Sequence, residues 1–156
     1  MDQHPPMIEV HSLAKSYGDK RAIDGISFEV PRGQVLGFLG PNGAGKTTTM
    51  KILTCFVAPT AGTARVAGHD VTEQPLGVRR SVGYLPEDTP LYRDMTTLEF
   101  LLFAATLRKV APERRADRMR EISAVCGLDD VMGQQVGELS KGYRQQVGLA
   151  QAMIHD

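Results

Sequence analysis

The apolar positions in the first half of the chain occur in short runs typical of β-strands. Three β-prone runs are separated by turn residues such as Tyr17-Gly18-Asp19: Ile8–Val10, Ile26–Val30 and Thr63–Val66. We expect these runs to form a mostly antiparallel sheet. Gln34–Leu39 and Val82–Leu85 are continuous apolar runs, which predict strands buried on both faces, as in a parallel sheet.

The later part of the chain has the apolar spacing of helices. Three segments there are predicted to be helical: Thr97–Leu107, Pro112–Val125 and Ser140–Met153. A fourth predicted helix, Lys46–Thr54, lies earlier in the chain. Gly127 lies where a helix would end. Since strands come early and helices come late, we expect a sheet-containing nucleotide lobe over residues 1–87 and a helical lobe over residues 88–156.

The sequence has no net charge and no apolar stretch long enough to span a membrane. Lys plus Arg equals Asp plus Glu at 18 each, so no net charge draws the chain toward nucleic acid or anionic lipid. The arginines at 114, 115, 118 and 120 are interleaved with acids and apolar positions, which favours the wet face of a helix over a nucleic-acid site. Apolar stretches fall short of the ~20 residues that cross a bilayer. We expect no nucleic-acid partner, and a membrane role only through another protein.

The clearest chemical pattern is a glycine-rich loop between a predicted strand and a predicted helix. Gly40-Pro41-Asn42-Gly43-Ala44-Gly45-Lys46-Thr47 matches G-x-x-x-x-G-K-[ST] in full. Glycines let backbone N–H groups turn toward phosphate oxygens, and the helix start adds partial positive charge. Lys46 is predicted to reach the β- and γ-phosphates, Thr47 to ligate Mg²⁺ and Thr48 to donate to the α-phosphate. The alternative, an ordinary glycine-rich turn, meets all four fixed positions by chance about once in a hundred such chains or less.

The sequence motifs favour adenine over guanine as the base of the nucleotide. A guanine site needs Asn-Lys-x-Asp, and the only asparagine is Asn42, inside the loop itself. Asp130-Val-Met-Gly133 fits the loose Asp-x-x-Gly of GTPases, but so short a pattern is expected often by chance. The sequence therefore favours ATP.

A second motif gives the family resemblance. The segment from Leu139 to Gln146 (LSKGYRQQ) resembles the Leu-Ser-Gly-Gly-Gln signature of ABC ATPases. With Gly83–Glu87 (GYLPE) and Tyr17, the order and spacing are similar to an ABC transporter ATP-binding subunit from about Ile8 to the chain end. Within that family the chain looks most like exporter and gliding-motility ATP-binding proteins. The resemblance implies an α/β P-loop NTPase with an ABC-type core, an antiparallel β subdomain and a helical signature subdomain.

The resemblance also implies roles for single residues. Tyr17 would stack on adenine, the alternative being a turn tyrosine. Ser140 and the Gly142 N–H would contact the γ-phosphate of ATP held by a second, head-to-tail subunit, although Ser140 also fits a plain helix N-cap. Glu87 stands where the family usually has a Gln that touches Mg²⁺ and the attacking water; its carboxylate accepts but cannot donate. The alternative for Glu87 is a solvated loop residue.

Two further departures concern the signature. Lys141 replaces the first glycine of the pattern, and Tyr143 replaces its glutamine. We expect closure over ATP to survive, because Ser140 and Gly142 remain. The resemblance thus assigns catalysis to Lys46 and Glu87 and the Mg²⁺ contact to Thr47 and Glu87.

The resemblance implies a transport motor. ATP hydrolysis in the complete protein would drive transmembrane permease subunits, with export favoured, from the cytoplasmic face of the membrane. In the family, the signature helix leads into an apolar strand that ends in a Mg²⁺-binding Asp and a general-base Glu, and this sequence stops at Asp156. We therefore expect a fragment that lacks the C-terminal part of the sheet and is inactive alone. The alternatives are a non-hydrolysing nucleotide-binding module and, more distantly, a small-molecule phosphotransferase.

Overall fold

The computed structural model describes residues 5–155. The chain divides between Val82 and Gly83 into two compact units, each with its own apolar core. We call residues 5–82 the N-terminal unit and residues 83–155 the C-terminal unit. The sequence had placed this division after Glu87.

The N-terminal unit is built on a four-stranded antiparallel sheet with the order β2-β1-β3-β4. Its strands are β1 (Ile8–Tyr17), β2 (Lys20–Val30), β3 (Ala61–Val66) and β4 (His69–Asp70). β1 and β2 are joined by the two-residue turn Gly18-Asp19, in which Gly18 has a φ of 57°. The predicted antiparallel sheet is confirmed, and both long strands extend beyond the runs that the sequence indicated.

Two helices accompany this sheet. Helix α1 (Lys46–Leu53) agrees with the prediction for this segment and buries Thr49, Ile52 and Leu53. Helix α2 (Pro75–Ser81) was not predicted; it begins at a proline and buries only Val78. Because a seven-residue helix with one buried position gives no helical period, the sequence carries little signal for α2.

The predicted buried strands are wrong in this structure. Gln34–Leu39 and Val82–Leu85 are not strands, and the side chains of Val35 and Leu39 are 99% and 94% exposed. A strand needs a neighbour to complete its hydrogen-bond ladder. Within residues 5–155, Gln34–Leu39 lies outside the four-stranded sheet and has no such neighbour. The ring of Phe38 lies 5.5 Å from that of Phe28 on β2.

The C-terminal unit is helical, as predicted. It contains α3 (Thr97–Leu107), α4 (Pro112–Cys126) and α5 (Lys141–Met153), with 3₁₀ turns at Asp129–Val131 and Val136–Glu138. Each helix end has a local cause: a Thr96–Glu99 capping box starts α3, a proline at the first turn starts α4, and left-handed Gly127 (φ 63°) ends it. These helices enclose a core that includes Phe100, Leu101, Met119, Ile122, Val147 and Ala150.

The arginine-rich stretch of α4 is only partly the wet face that the sequence predicts: Arg114 and Arg120 are exposed, but the side chain of Arg118 is 12% exposed. Arg118 pairs with Glu121 and Arg120 with Asp117, in both cases three residues apart. The guanidinium of Arg118 also donates to the backbone carbonyls of Met153 and Ile154. Val125 is 65% exposed although it is apolar, whereas Cys126, four residues after Ile122, is buried.

Within residues 5–155, no helix is both long enough and apolar enough to cross a membrane.

Candidate nucleotide-binding site

The glycine-rich loop folds into a turn that is closed by its own lysine. Gly43 and Gly45 both have a φ of 86°, a conformation that favours glycine. The Lys46 ammonium donates to the carbonyl oxygens of Gly40 (2.5 Å) and Pro41 (2.8 Å). Since these carbonyls begin the loop and Lys46 ends it, the ammonium bridges the two ends and supplies positive charge beside the loop.

The start of α1 presents unused backbone donors. The N-cap residue is Gly45, which has no side chain to accept from the first turn, and no acidic residue lies in that turn. The helix ladder begins with Thr49 N–H donating to the Gly45 carbonyl at 2.8 Å. The first N–H groups of a helix have no intrahelical acceptor. Together with Lys46, this donor set fits a phosphate group.

The three threonines of α1 are placed differently. Thr47 is exposed and Thr48 is half-buried, while Thr49 is buried and donates its hydroxyl to the Gly45 carbonyl at 3.0 Å. Thr49 is therefore committed to the helix, and Thr47 has the accessible hydroxyl. In residues 5–155, no three His, Cys, Asp or Glu side chains gather to hold a metal ion. A hydroxyl oxygen fits Mg²⁺ as one ligand among phosphate and water oxygens.

The β1–β2 hairpin supports the loop from one side. A Cβ on Gly45 would collide with the backbone oxygen of Ala22 and lie 3.1 Å from Ile23 Cγ1. Ala22 is two residues along β2 from Lys20, which pairs with Tyr17 across the hairpin. The helix that follows the loop thus starts beside the hairpin end that carries Tyr17. The sequence missed Ala22, since its contribution is a backbone contact with no side-chain signature.

Tyr17 presents a partly free aromatic ring. It ends β1, and its side chain is 48% exposed. The Lys15 ammonium lies 5.0 Å from the ring centroid and donates to the Ala58 carbonyl at 2.8 Å. Lys15 is therefore fixed beside the ring by a second contact. The remaining exposed area suits stacking on a flat base.

The predicted signature residues begin helix α5. Ser140 is the N-cap, and its hydroxyl oxygen accepts from the Tyr143 N–H at 3.2 Å. Gly142 follows in the first turn and is exposed. The N-cap interpretation of Ser140 is confirmed, and its contact with a second subunit's nucleotide stays a prediction.

Glu87 lies in an exposed loop of the C-terminal unit. It lines a groove together with Lys141, Arg144 and Gln145 from the first turns of α5. The structure thus brings two predicted elements, the GYLPE segment and the signature helix, together within one unit. The phosphate loop and Tyr17 belong to the other unit.

The fold and the phosphate loop define an α/β P-loop NTPase. Among known families, the family model described as ABC transporter matches residues 23–156. The chain therefore belongs to the ABC transporter ATP-binding family, as the signature resemblance indicated.

Individual relatives agree with this assignment. The chain is 37% identical over 149 residues to the uncharacterized ABC transporter ATP-binding protein YxlF of Bacillus subtilis, covering 96% of this chain and 49% of the relative. It is 37% identical over 147 residues to the daunorubicin/doxorubicin resistance ATP-binding protein DrrA of Streptomyces peucetius, covering 94% and 44%. A solved ATP binding subunit of an ABC transporter superposes with a TM-score of 0.86 at 28% identity, over 96% of this chain and 62% of that one.

The chain spans about half the length of these curated relatives.

Proposed function

We propose that this chain is the ATP-binding part of an ABC transporter ATPase, which in the complete protein hydrolyses ATP to drive transport across a membrane. The observation that carries the proposal is the loop geometry. Lys46 bridges the loop ends, and Gly43 and Gly45 turn the backbone in a left-handed conformation before an uncapped helix start. This arrangement offers an anion both charge and backbone donors.

Each candidate site residue of the N-terminal unit has a role in the proposed ATP site. Lys46 would exchange its two carbonyl acceptors for the β- and γ-phosphates, and the backbone N–H groups at the start of α1 would hold the phosphate oxygens. The accessible Thr47 hydroxyl would contact Mg²⁺, Thr48 would donate to the α-phosphate, and Tyr17 would stack on adenine. Bound Mg²⁺–ATP supplies the phosphoryl group whose transfer to water releases the energy for transport.

The C-terminal unit would connect the nucleotide to partners. Ser140 and the Gly142 N–H would contact ATP held by a second ATPase subunit in a head-to-tail dimer. The loop that carries Glu87 would relay nucleotide state to transmembrane permease subunits, and Glu87 would contact Mg²⁺. In this proposal the protein acts on the cytoplasmic face of a membrane. Export is supported by relatives named for drug resistance and for Nod factor export.

The test is ATP binding by the natural full-length protein with Lys46→Ala. Losing a charge-assisted contact to phosphate is expected to weaken ATP binding roughly tenfold to a hundredfold. Lys51→Ala is the matched control, because Lys51 is an exposed lysine in the last turn of the same helix; its ATP affinity should stay within about twofold of wild type. Unchanged ATP binding by Lys46→Ala would refute the assignment. ATP binding without phosphate release by the wild-type protein would select the non-hydrolysing module instead.

A further inference from the structure

The loop that carries Glu87 is packed against helix α5. A Cβ placed on Gly148 would lie 2.7 Å from Leu85 Cδ1 and 2.8 Å from Thr89 Cγ2, so these side chains occupy the space that a larger residue would need. The Thr89 hydroxyl donates to the Pro86 carbonyl at 3.1 Å, which closes the loop on itself. Leu85 and Thr89 flank Glu87 on either side, and Glu87 is therefore held near this face of α5.

The same face of α5 carries Lys141. Lys141 precedes Gly148 by seven residues, which is close to two turns, so both lie on one side of the helix. Lys141 and Glu87 both line a groove of about 280 Å³, in which Asp88 and Gln145 also take part. The loop thus runs along α5 from Gly148 toward the helix start.

The charges in this groove are complementary. Glu87 and Lys141 are both exposed, and within residues 5–155 neither forms an ion pair at 4.0 Å or less. Arg144, the other cation of α5 in the groove, donates to the Leu139 carbonyl. Arg93 also lines the groove but belongs to the segment before α3.

Lys141 is in an unfavourable place on its own helix. It is the first residue of α5, whose first turn contains no acidic side chain. A cation at a helix N-terminus opposes the helix dipole. An acid from outside the helix offsets this cost, and the groove supplies two, Glu87 and its neighbour Asp88.

We propose that Lys141 is a positioning residue for Glu87. Its ammonium attracts the carboxylate toward the start of α5, so that a shift of the signature helix carries Glu87 with it. The structure places both residues in one groove. The inference rests on the proposed function, because Glu87 matters to turnover only if the protein is an ATP-driven motor.

The experiment is a double-mutant cycle in the full-length ATPase assembled with its permease. The variants are Glu87→Gln, Lys141→Gln and the double substitution. If the two exposed charges attract each other weakly, Lys141→Gln should lower kcat about two- to fivefold, with the KM for ATP changed less than about twofold. In the Glu87→Gln background, Lys141→Gln should have no further effect on kcat, because Lys141 acts only through Glu87. High salt should reduce the loss of kcat that Lys141→Gln causes when Glu87 is present, because salt screens the attraction between the two charges.

A second readout is independent of turnover. In urea unfolding of the same four proteins, removing Lys141 should stabilise the Glu87→Gln protein, because the cation no longer opposes the helix dipole. With Glu87 present that gain should be smaller or reversed. Lys109→Gln, at an exposed lysine elsewhere in the C-terminal unit, is the control and should show no coupling to Glu87.

The outcomes separate the two proposals. Independent effects of Glu87 and Lys141 on kcat and on stability would overturn the positioning role, as would a change confined to KM, which indicates a direct phosphate contact. Absence of ATP binding and turnover in the wild-type assembly would instead overturn the proposed function. The urea cycle would still decide whether the two charges interact.

Discussion

Gly83 lies against the backbone carbonyl of Ala152, so closely that a Cβ at position 83 would overlap the oxygen. Ala152 is one turn after Gly148 on α5, on the same face of the helix. Two glycines, one in the segment entering the C-terminal unit and one in the helix, therefore allow residues 83–89 to run in contact with α5. The absence of side chains at these two positions places the Glu87 loop beside the signature helix.

Gly83→Ala is expected to destabilise the C-terminal unit by about 1–3 kcal/mol, the usual cost of overpacking. The neighbour is a buried backbone oxygen, which cannot rotate away as a side chain can. The measurement is urea unfolding of the full-length protein, followed by helical circular dichroism. Gly133→Ala is the control, because a Cβ there meets nothing within 4 Å. Equal stability of the two variants would show that the contact with Ala152 is not tight.

The phosphate loop offers a matched pair of glycines. Gly43 and Gly45 share a φ of 86°, yet a Cβ on Gly43 would enter open space, whereas one on Gly45 would meet the Ala22 backbone of β2. Gly43→Ala should therefore cost only the left-handed strain, roughly 1–2 kcal/mol. Gly45→Ala should cost about 1–3 kcal/mol more, from overpacking. Urea unfolding of both variants measures the difference.

The same two variants also test how the hairpin supports the loop. If the contact between Gly45 and Ala22 positions the start of α1, Gly45→Ala should weaken ATP binding more than Gly43→Ala does. ATP titration of the full-length variants provides the measurement. A larger loss at Gly43 would mean that the backbone turn itself, and not its support by β2, limits binding.

Local signals in the sequence predicted much of this structure. The bounds of α3 agree with the prediction from its helical spacing, and the N-cap at Ser140 agrees with that interpretation of its side chain, because both signals are local. The Thr96–Glu99 capping box was not predicted. In the antiparallel sheet, β1–β2 and β3–β4 are consecutive strands joined by short turns, whereas β1 also pairs with β3, which is far from it in sequence. Helix caps and tight turns depend on residues that are close together in sequence.

What the sequence misjudged depends on distant partners. The apolar run Gln34–Leu39 has the composition of a buried strand, but burial requires a paired neighbour, and within residues 5–155 none lies beside it. The contacts of Gly45 with Ala22 and of Gly148 with Leu85 join segments that are far apart in sequence. A glycine in the sequence does not indicate which distant atom occupies the space that a side chain would fill. The groove shared by Glu87 and Lys141 was hidden for the same reason.

The capping box of α3 predicts a pH-dependent stability. The Glu99 carboxylate accepts from the Thr96 backbone N–H (2.8 Å) and hydroxyl (2.9 Å), and chiefly the backbone bond lowers the pKa of Glu99 from its ordinary value of 4.5. A lowered folded-state pKa means that the stabilisation is fully present above pH 4.5 and is lost as pH falls through the lower folded value.

Glu99→Gln keeps an acceptor but does not titrate. Wild type should therefore protect α3 amides from hydrogen exchange better than Glu99→Gln at pH 6, and the advantage should vanish as pH falls through the lowered pKa of Glu99. Glu73→Gln, at an exposed glutamate outside the capping box, should leave α3 protection unchanged at every pH; an advantage for wild-type Glu99 that persisted in acid would show that the carboxylate stabilises the helix by something other than its charge.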